Sequence, residues 1–254
     1  MTRRDDLVSW LDALLAPEGA CQDSSNNGLQ VTGADEVKRI VFGVDACLGL
    51  FLEAVERDAD FVVVHHGLSW GPGIRYFTGQ IADRLRVLFA NGTSLYASHL
   101  PLDAHPEVGN NAVIAAKMGL VSPRAFARYG GIEIGWEAEL AEPETRTGFA
   151  ERVNLTLGAA ATVLPAGPET VRRVGVVSGG AADMVAECSE RGIDTLVTGE
   201  LGHMHVHPAR EYGVNVIAAG HYRTEVFGVQ ALMERVRTGF PGIVCEFVEL
   251  PTGQ

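Results

Sequence analysis

The sequence predicts an α/β protein of two lobes, each with a mixed, largely parallel sheet flanked by helices. Three observations predict it. Short apolar runs rich in Val and Ile alternate with stretches of helical periodicity, the order expected of a sheet covered on both faces. The 254 residues are 46% hydrophobic and 20% charged, which supports a packed core and argues against disorder. Three residue pairs, His65-His66, His99-x3-Asp103 and His221-x3-Glu225, stand at or near the ends of runs that read as strands, where α/β proteins place their sites.

The elements follow in order. Leu7, Trp10, Leu11, Leu14 and Leu15 have the spacing of an amphipathic helix and not of a cleavable leader. Residues 39–45 (RIVFGVD) read as a buried strand, and 46–59 as a helix with Leu50, Phe51, Ala54 and Val55 inward. Residues 61–64 form a second strand running into His65-His66-Gly67, followed by a loop rich in Gly and Trp and a helix over 81–89. A strand over 94–98 then delivers His99.

The second half repeats the pattern. A strand is expected over 132–140, a helix over 143–157 with Pro143 in its first turn, and strands at 173–177 and 195–198 around a helix at 182–191. A strand at 215–219, a long helix at 222–236 and a closing strand at 243–250 complete the chain. Only residues 122–131 separate the halves. The expected division is residues 1–125, carrying His65, His66, His99 and Asp103, and residues 126–254, carrying His221 and Glu225. The two lobes are expected to be tightly interlinked, with a site between them.

Composition excludes several classes. A net charge of −12 disfavours a bulk nucleic-acid surface. It does not disfavour a small anionic or nucleotide-like ligand, because bound cations create their own positive field. Cys21, Cys47, Cys188 and Cys245 form no C-x-x-C, so reduced, mostly buried thiols are expected. No apolar run reaches the roughly 18 residues of a membrane span. A soluble cytoplasmic protein is the expectation.

Four imidazoles and two carboxylates exceed what one zinc takes from a protein, and they suit two ions held side by side. His65 and His66 face opposite ways in an extended strand, but at its end, relieved by Gly67, they can turn to one cavity. Pro101 rules against a regular helix between His99 and Asp103, leaving a bent loop. At a helix start, His221 and Glu225 share a face. Each pair also has an ordinary reading: buried hydrogen-bonded histidines, a loop, or an acid on a helix dipole. The all-nitrogen-and-oxygen set suits zinc, iron or manganese.

In these contexts, DSSNNGLQVTG, FVVVHHGLSW, YASHLPLDAHPEVGNN, TLVTGELGHMH and AAGHYRTEVFGVQAL, the chain resembles the dinuclear-metal-centre hexameric proteins. These are also called GTP cyclohydrolase I type 2 homologues or NIF-three-like proteins, and the resemblance covers nearly the whole chain. It implies that His65, His66, His99, Asp103, His221 and Glu225 bind two divalent ions. It further implies a toroidal homohexamer with its sites facing inward, and metal-activated water attacking the purine ring of GTP. Asn27 and Gln30 are substrate-facing by the same resemblance. Two departures stand out. Members often carry Trp-Asp before the Asn-x-Gly-Leu-Gln run, where this chain has Asp23-Ser24-Ser25, and many have paired histidines where this chain has His203-Met204-His205-Val206-His207.

The resulting reading is a metal-dependent hydrolase of a nucleotide or phosphorylated small molecule. A di-metal phosphoesterase and a non-catalytic metal-binding or regulatory hexamer are the alternatives. His203 is the expected proton shuttle. Ser178-Gly179-Gly180 reads as a tight strand-to-helix turn with a weaker phosphate-binding alternative. Trp70, Tyr76 and Phe77 are expected to pack under their loop, with base stacking as the alternative.

Overall fold

A computed structural model describes residues 2–253. The chain forms two compact units. One takes in the chain up to Leu102 together with Gly228–Leu250; the other runs from Asp103 to Phe227 and takes in the chain end from Pro251. The division therefore differs from a single cut at 125/126, and it assigns Asp103 to the second unit. The cause is the last strand, Val244–Phe247, which pairs in parallel with Arg39–Asp45 and so returns the C-terminal segment to the first sheet.

The first unit holds a five-stranded sheet in the order Val244–Phe247, Arg39–Asp45, Phe61–His66, Ser94–Ala97, Gly28–Val31. The first three pairings are parallel and the last antiparallel. Its inner strands are almost continuously apolar, as strands buried on both faces must be. Val41, Val62, Val64 and Leu95 pack with Leu50, Phe51 and Ala54 of the helix Leu48–Glu56 and with Leu85 and Leu88 of Gly79–Ala90. Leu7 and Leu11 of the helix Arg4–Leu14 are fully buried, and Trp10 meets Phe240 edge-on with ring centroids 5.3 Å apart.

The second unit holds six strands in the order Arg124–Tyr129, Ile132–Thr145, Thr170–Val176, Thr195–Thr198, Asn215–Ala218, Thr162–Leu164. Only its central pairings are parallel. Residues 122–131, too short for a flexible linker, are ordered: they contain the antiparallel strand Arg124–Tyr129 and the turn that follows it. The helix expected from Pro143 starts later, at Arg146, with the Thr145 hydroxyl accepting from the Gly148 N–H. Pro143 lies in the strand, inside a register shift where Val171 faces Glu144 and Arg173 faces Glu139. At such an irregularity its missing N–H costs no ladder bond.

Other elements hold with shifted bounds. The long helix spans His221–Gly239, beginning in the second unit and ending in the first, and the helix at 182–191 opens with a 3-10 turn, Ala182–Met184. All four thiols are free, but only Cys188 and Cys245 are buried. Among the described residues no helix is long and apolar enough to cross a membrane.

Candidate metal centre

In the first unit the strand Phe61–His66 lies between parallel neighbours on both sides and ends in two histidines. His65 is wholly buried, and its Nδ1 donates to the Ser98 carbonyl at 2.9 Å. A carbonyl only accepts, so this bond fixes the tautomer that leaves a lone pair on Nε2. His66 Nδ1 donates to Oδ1 of Asp45 at 2.9 Å, the residue directly across from it in the sheet. His99, just past the adjacent strand, donates from Nδ1 to Oδ1 of Asp23 at 2.8 Å.

These three rings lie 4.7, 5.1 and 5.5 Å apart between centroids, and one ligand atom from each lies within 4.8 Å of the others. Strand alternation does not separate His65 from His66: at the strand end their ring centroids lie 4.7 Å apart, with the ring planes 45° to each other.

Asp23 is the anchor of the arrangement. Its Oδ1 also accepts from Ser25 N–H, and its Oδ2 accepts from Asn27 Nδ2 and Leu100 N–H. Burial alone would raise its pKa, but the hydrogen bonds from His99, Asn27 and Ser25 outweigh that and hold it at about 2. It is therefore a firm anion beside His99.

Asn27 and Gln30, expected at the substrate, use their amides on the chain itself. Asn27 Oδ1 accepts from the His99 N–H at 2.8 Å. Gln30 Oε1 accepts from Leu68 and Ser69 N–H, and its Nε2 donates to Asn26 O, which ties down the loop after His66. A Cβ on Gly67 would come within 2.4 Å of Gln30 Nε2, so only glycine lets that amide lie so close. Trp70 stands edge-on to His99 at 5.1 Å and donates to Gly67 O. Tyr76 and Phe77 do not pack under the loop; they are 77% and 65% exposed.

In the second unit His221 opens the long helix and Glu225 follows one turn later, with Nε2 and Oε1 3.1 Å apart. His221 Nδ1 pairs with Oε1 of Glu200 at 2.6 Å. The Glu225 hydrogen bond raises the His221 pKa, burial opposes it and Glu200 adds to it, giving about 9. A cation at Nε2 would take the place of that proton.

Asp103 is buried in the short helix Leu100–Ala104. The expected loop is thus a helical turn, which Pro101 tolerates because a first-turn N–H has no helical partner. Asp103 Oδ1 accepts from Asn110 Nδ2 at 2.9 Å and from Ser178 Oγ at 3.0 Å. The Ser178-Gly179-Gly180 turn thereby serves to position the site. Gly179, at φ +64°, lies against Glu225, and a Cβ there would sit 2.6 Å from Oε1.

His203 and His205 lie in a 3-10 turn and His207 in the helix Val206–Tyr212. His203 is exposed, whereas His205 Nδ1 accepts from Gly202 N–H. Glu200 also lines an open cavity of about 370 Å³ with Thr162, Leu201, Gly202, Ala218 and Gly220.

The donor set fits a divalent cation. All four candidate imidazoles have Nδ1 held by an oxygen, from Ser98, Asp45, Asp23 and Glu200, which is how metal-binding histidines are oriented and made more basic. Sequence reasoning missed these orienting partners. Asp45 and Glu200 each stand at or just beyond a strand end, the one signal that could have found them. Replacing Asp45 with Ala is expected to weaken metal binding roughly 10–100-fold, read by competition with a chromogenic chelator. Unchanged affinity would remove Asp45 from the site.

An α/β protein with an oriented cluster of histidines and carboxylates is a candidate metalloprotein. The chain belongs to the Duf34/NIF3 (NGG1p interacting factor 3) family, whose model matches residues 2–252. It is 45% identical to a Deinococcus radiodurans protein named GTP cyclohydrolase 1 type 2 homolog, over 98% of this chain and 94% of that one. Among solved structures, protein ybgI, described as of unknown function, superposes with a TM-score of 0.92 at 35% identity, covering all of both chains. The crystal structure of TTHA1606 from Thermus thermophilus gives 0.89 at 40% identity, again over both whole chains.

Proposed function

We propose that His65, His66, His99, Asp103, His221 and Glu225 together hold two divalent ions, zinc, iron or manganese, and that the protein hydrolyses a nucleotide or phosphorylated small molecule. One observation carries the reading: every candidate imidazole is presented through Nε2 by an oxygen partner on Nδ1. Divalent ions held by these residues would supply Lewis acidity there, activating water and polarising the electrophile.

The chain supplies the rest. Asn110 and Ser178 aim Asp103, Asp23 and Asn27 fix His99, and Glu200 fixes His221. The cavity beside Glu200 offers room for the organic part of the substrate. The exposed His203, three residues beyond Glu200, is the proposed proton carrier. A cytoplasmic homohexamer, with Asn27 and Gln30 supporting the site, completes the proposal; the relatives' name, GTP cyclohydrolase 1 type 2 homolog, supports its hydrolase part.

The test counts metals by elemental analysis and screens GTP and a phosphoester panel with wild type and Asp103→Ala. About two ions per chain are expected, with turnover lost in the variant. Near-stoichiometric metal without turnover on any compound would favour the non-catalytic assembly. Fewer than about one ion in fully loaded protein would sink the dinuclear reading.

A further inference from the structure

Thr224, only 1% exposed, lies on the long helix of the second unit between His221 and Glu225. A buried hydroxyl has one proton to donate and lone pairs to satisfy. Thr224 Oγ1 has Gly220 O at 3.0 Å and His221 O at 2.9 Å to take its proton. That backward bond is the ordinary one for a threonine in a helix. Its second bond is not local: Oγ1 accepts from the Gly179 N–H at 3.0 Å, 45 residues earlier. The first turn of the helix is thereby tied to the Ser178-Gly179-Gly180 turn.

That turn is gripped from its other side as well. Thr198 Oγ1 donates to Gly179 O at 3.0 Å and accepts from the Ala181 N–H at 3.2 Å. Gly179 O also accepts from the Gly199 and Glu200 N–H groups, and Asn111 Oδ1 accepts from the Ser178 N–H. Gly199 permits the close approach: a Cβ there would lie 2.7 Å from Gly179 O and 2.8 Å from Thr224 Oγ1.

Both ends of this linkage reach a candidate ligand. On one side, Ser178 Oγ donates to Asp103 Oδ1 at 3.0 Å. On the other, the position a Gly179 Cβ would take lies 2.6 Å from Glu225 Oε1 and 3.3 Å from His221 Nε2. We infer that Thr224 is a positioning residue: through the Gly179 N–H it fixes Asp103 relative to the His221–Glu225 pair, and so sets their affinity for a divalent cation. The inference rests on reading those three residues as metal ligands. A role in packing alone would need the shape of the side chain and not its oxygen.

The test uses full-length protein and zinc, with affinity read by competition against a chromogenic chelator and Tm read on the metal-free form. Thr224→Val keeps the shape, removes the hydroxyl and leaves the buried Gly179 N–H without its acceptor. Zinc affinity is expected to fall roughly tenfold or more, and the visible bands of cobalt-loaded protein are expected to change. Thr224→Ser keeps the oxygen and is expected to restore both. Should Thr224→Val fail to fold, Thr224→Ala, smaller and a better helix former, carries the same expectation.

His221→Ala is the control. If it keeps full zinc affinity, the ligand reading fails and takes the inference with it. If His221→Ala loses zinc while the hydroxyl-free Thr224 variant keeps wild-type affinity, only the role of Thr224 is overturned, whatever the Tm. Failure of Thr224→Ser to recover affinity would overturn it too.

Discussion

Replacing His65 with alanine is expected to strip metal from the first unit's histidine cluster. His65 is wholly buried at the end of the sheet's middle strand, and its Nδ1–H bond to Ser98 O leaves Nε2 as the ligand atom. The substitution removes that atom and leaves the Ser98 carbonyl without its imidazole. Loss of an orienting residue costs roughly 10–100-fold in metal affinity, and loss of a ligand atom itself is expected to exceed that. Elemental analysis after dialysis against a weak chelator measures it. A variant that keeps its full metal content would show that His65 is a buried hydrogen-bonded histidine and nothing more.

Gly179→Ala is expected to damage both stability and site. At φ +64° the backbone is left-handed, which costs an L side chain about 1–2 kcal/mol. For a chain of this size that corresponds to about 2–8 °C in Tm. The new Cβ would also lie 2.6 Å from Glu225 Oε1, on a residue 3% exposed with little room to retreat. Glu225 must swing away from His221. A loss of Tm should therefore accompany a loss of metal, whereas a drop in Tm with metal content intact would mean that Gly179 is needed only for its turn.

How much of this was legible depends on range. The strands Arg39–Asp45, Phe61–His66 and Thr195–Thr198 were readable because buried parallel strands are runs of branched apolar residues. The helix His221–Gly239 was readable from its long amphipathic period. The two acids and four histidines stood out by residue type at strand ends.

Their orienting partners did not, because the bonds are long-range: His99 and its carboxylate are 76 residues apart, and His66 and His221 lie 21 from theirs. No local period reports such a pairing. The helix Asn110–Lys117 was missed because two asparagines open it, and their amides serve Asp103, Ile134 and Ser178. The strand Arg124–Tyr129 was hidden by Arg124 and Arg128 and by Ala127 at φ +62°. Pro143 misled in the other direction, since a register irregularity accepts a proline as readily as a first helical turn does.

The C-terminal strand has a consequence for how the molecule is made. Val244–Phe247 pairs with Arg39–Asp45, about two hundred positions upstream. Domains tend to fold as the chain emerges during synthesis, N-terminal part first. Here the segment Asp103–Phe227 leaves the ribosome complete while the earlier sheet still lacks its fifth strand. Until translation passes Phe247, the edge of Arg39–Asp45 is open to other strands, a recognised aggregation hazard. The sheet whose strands are synthesised first is the one completed last.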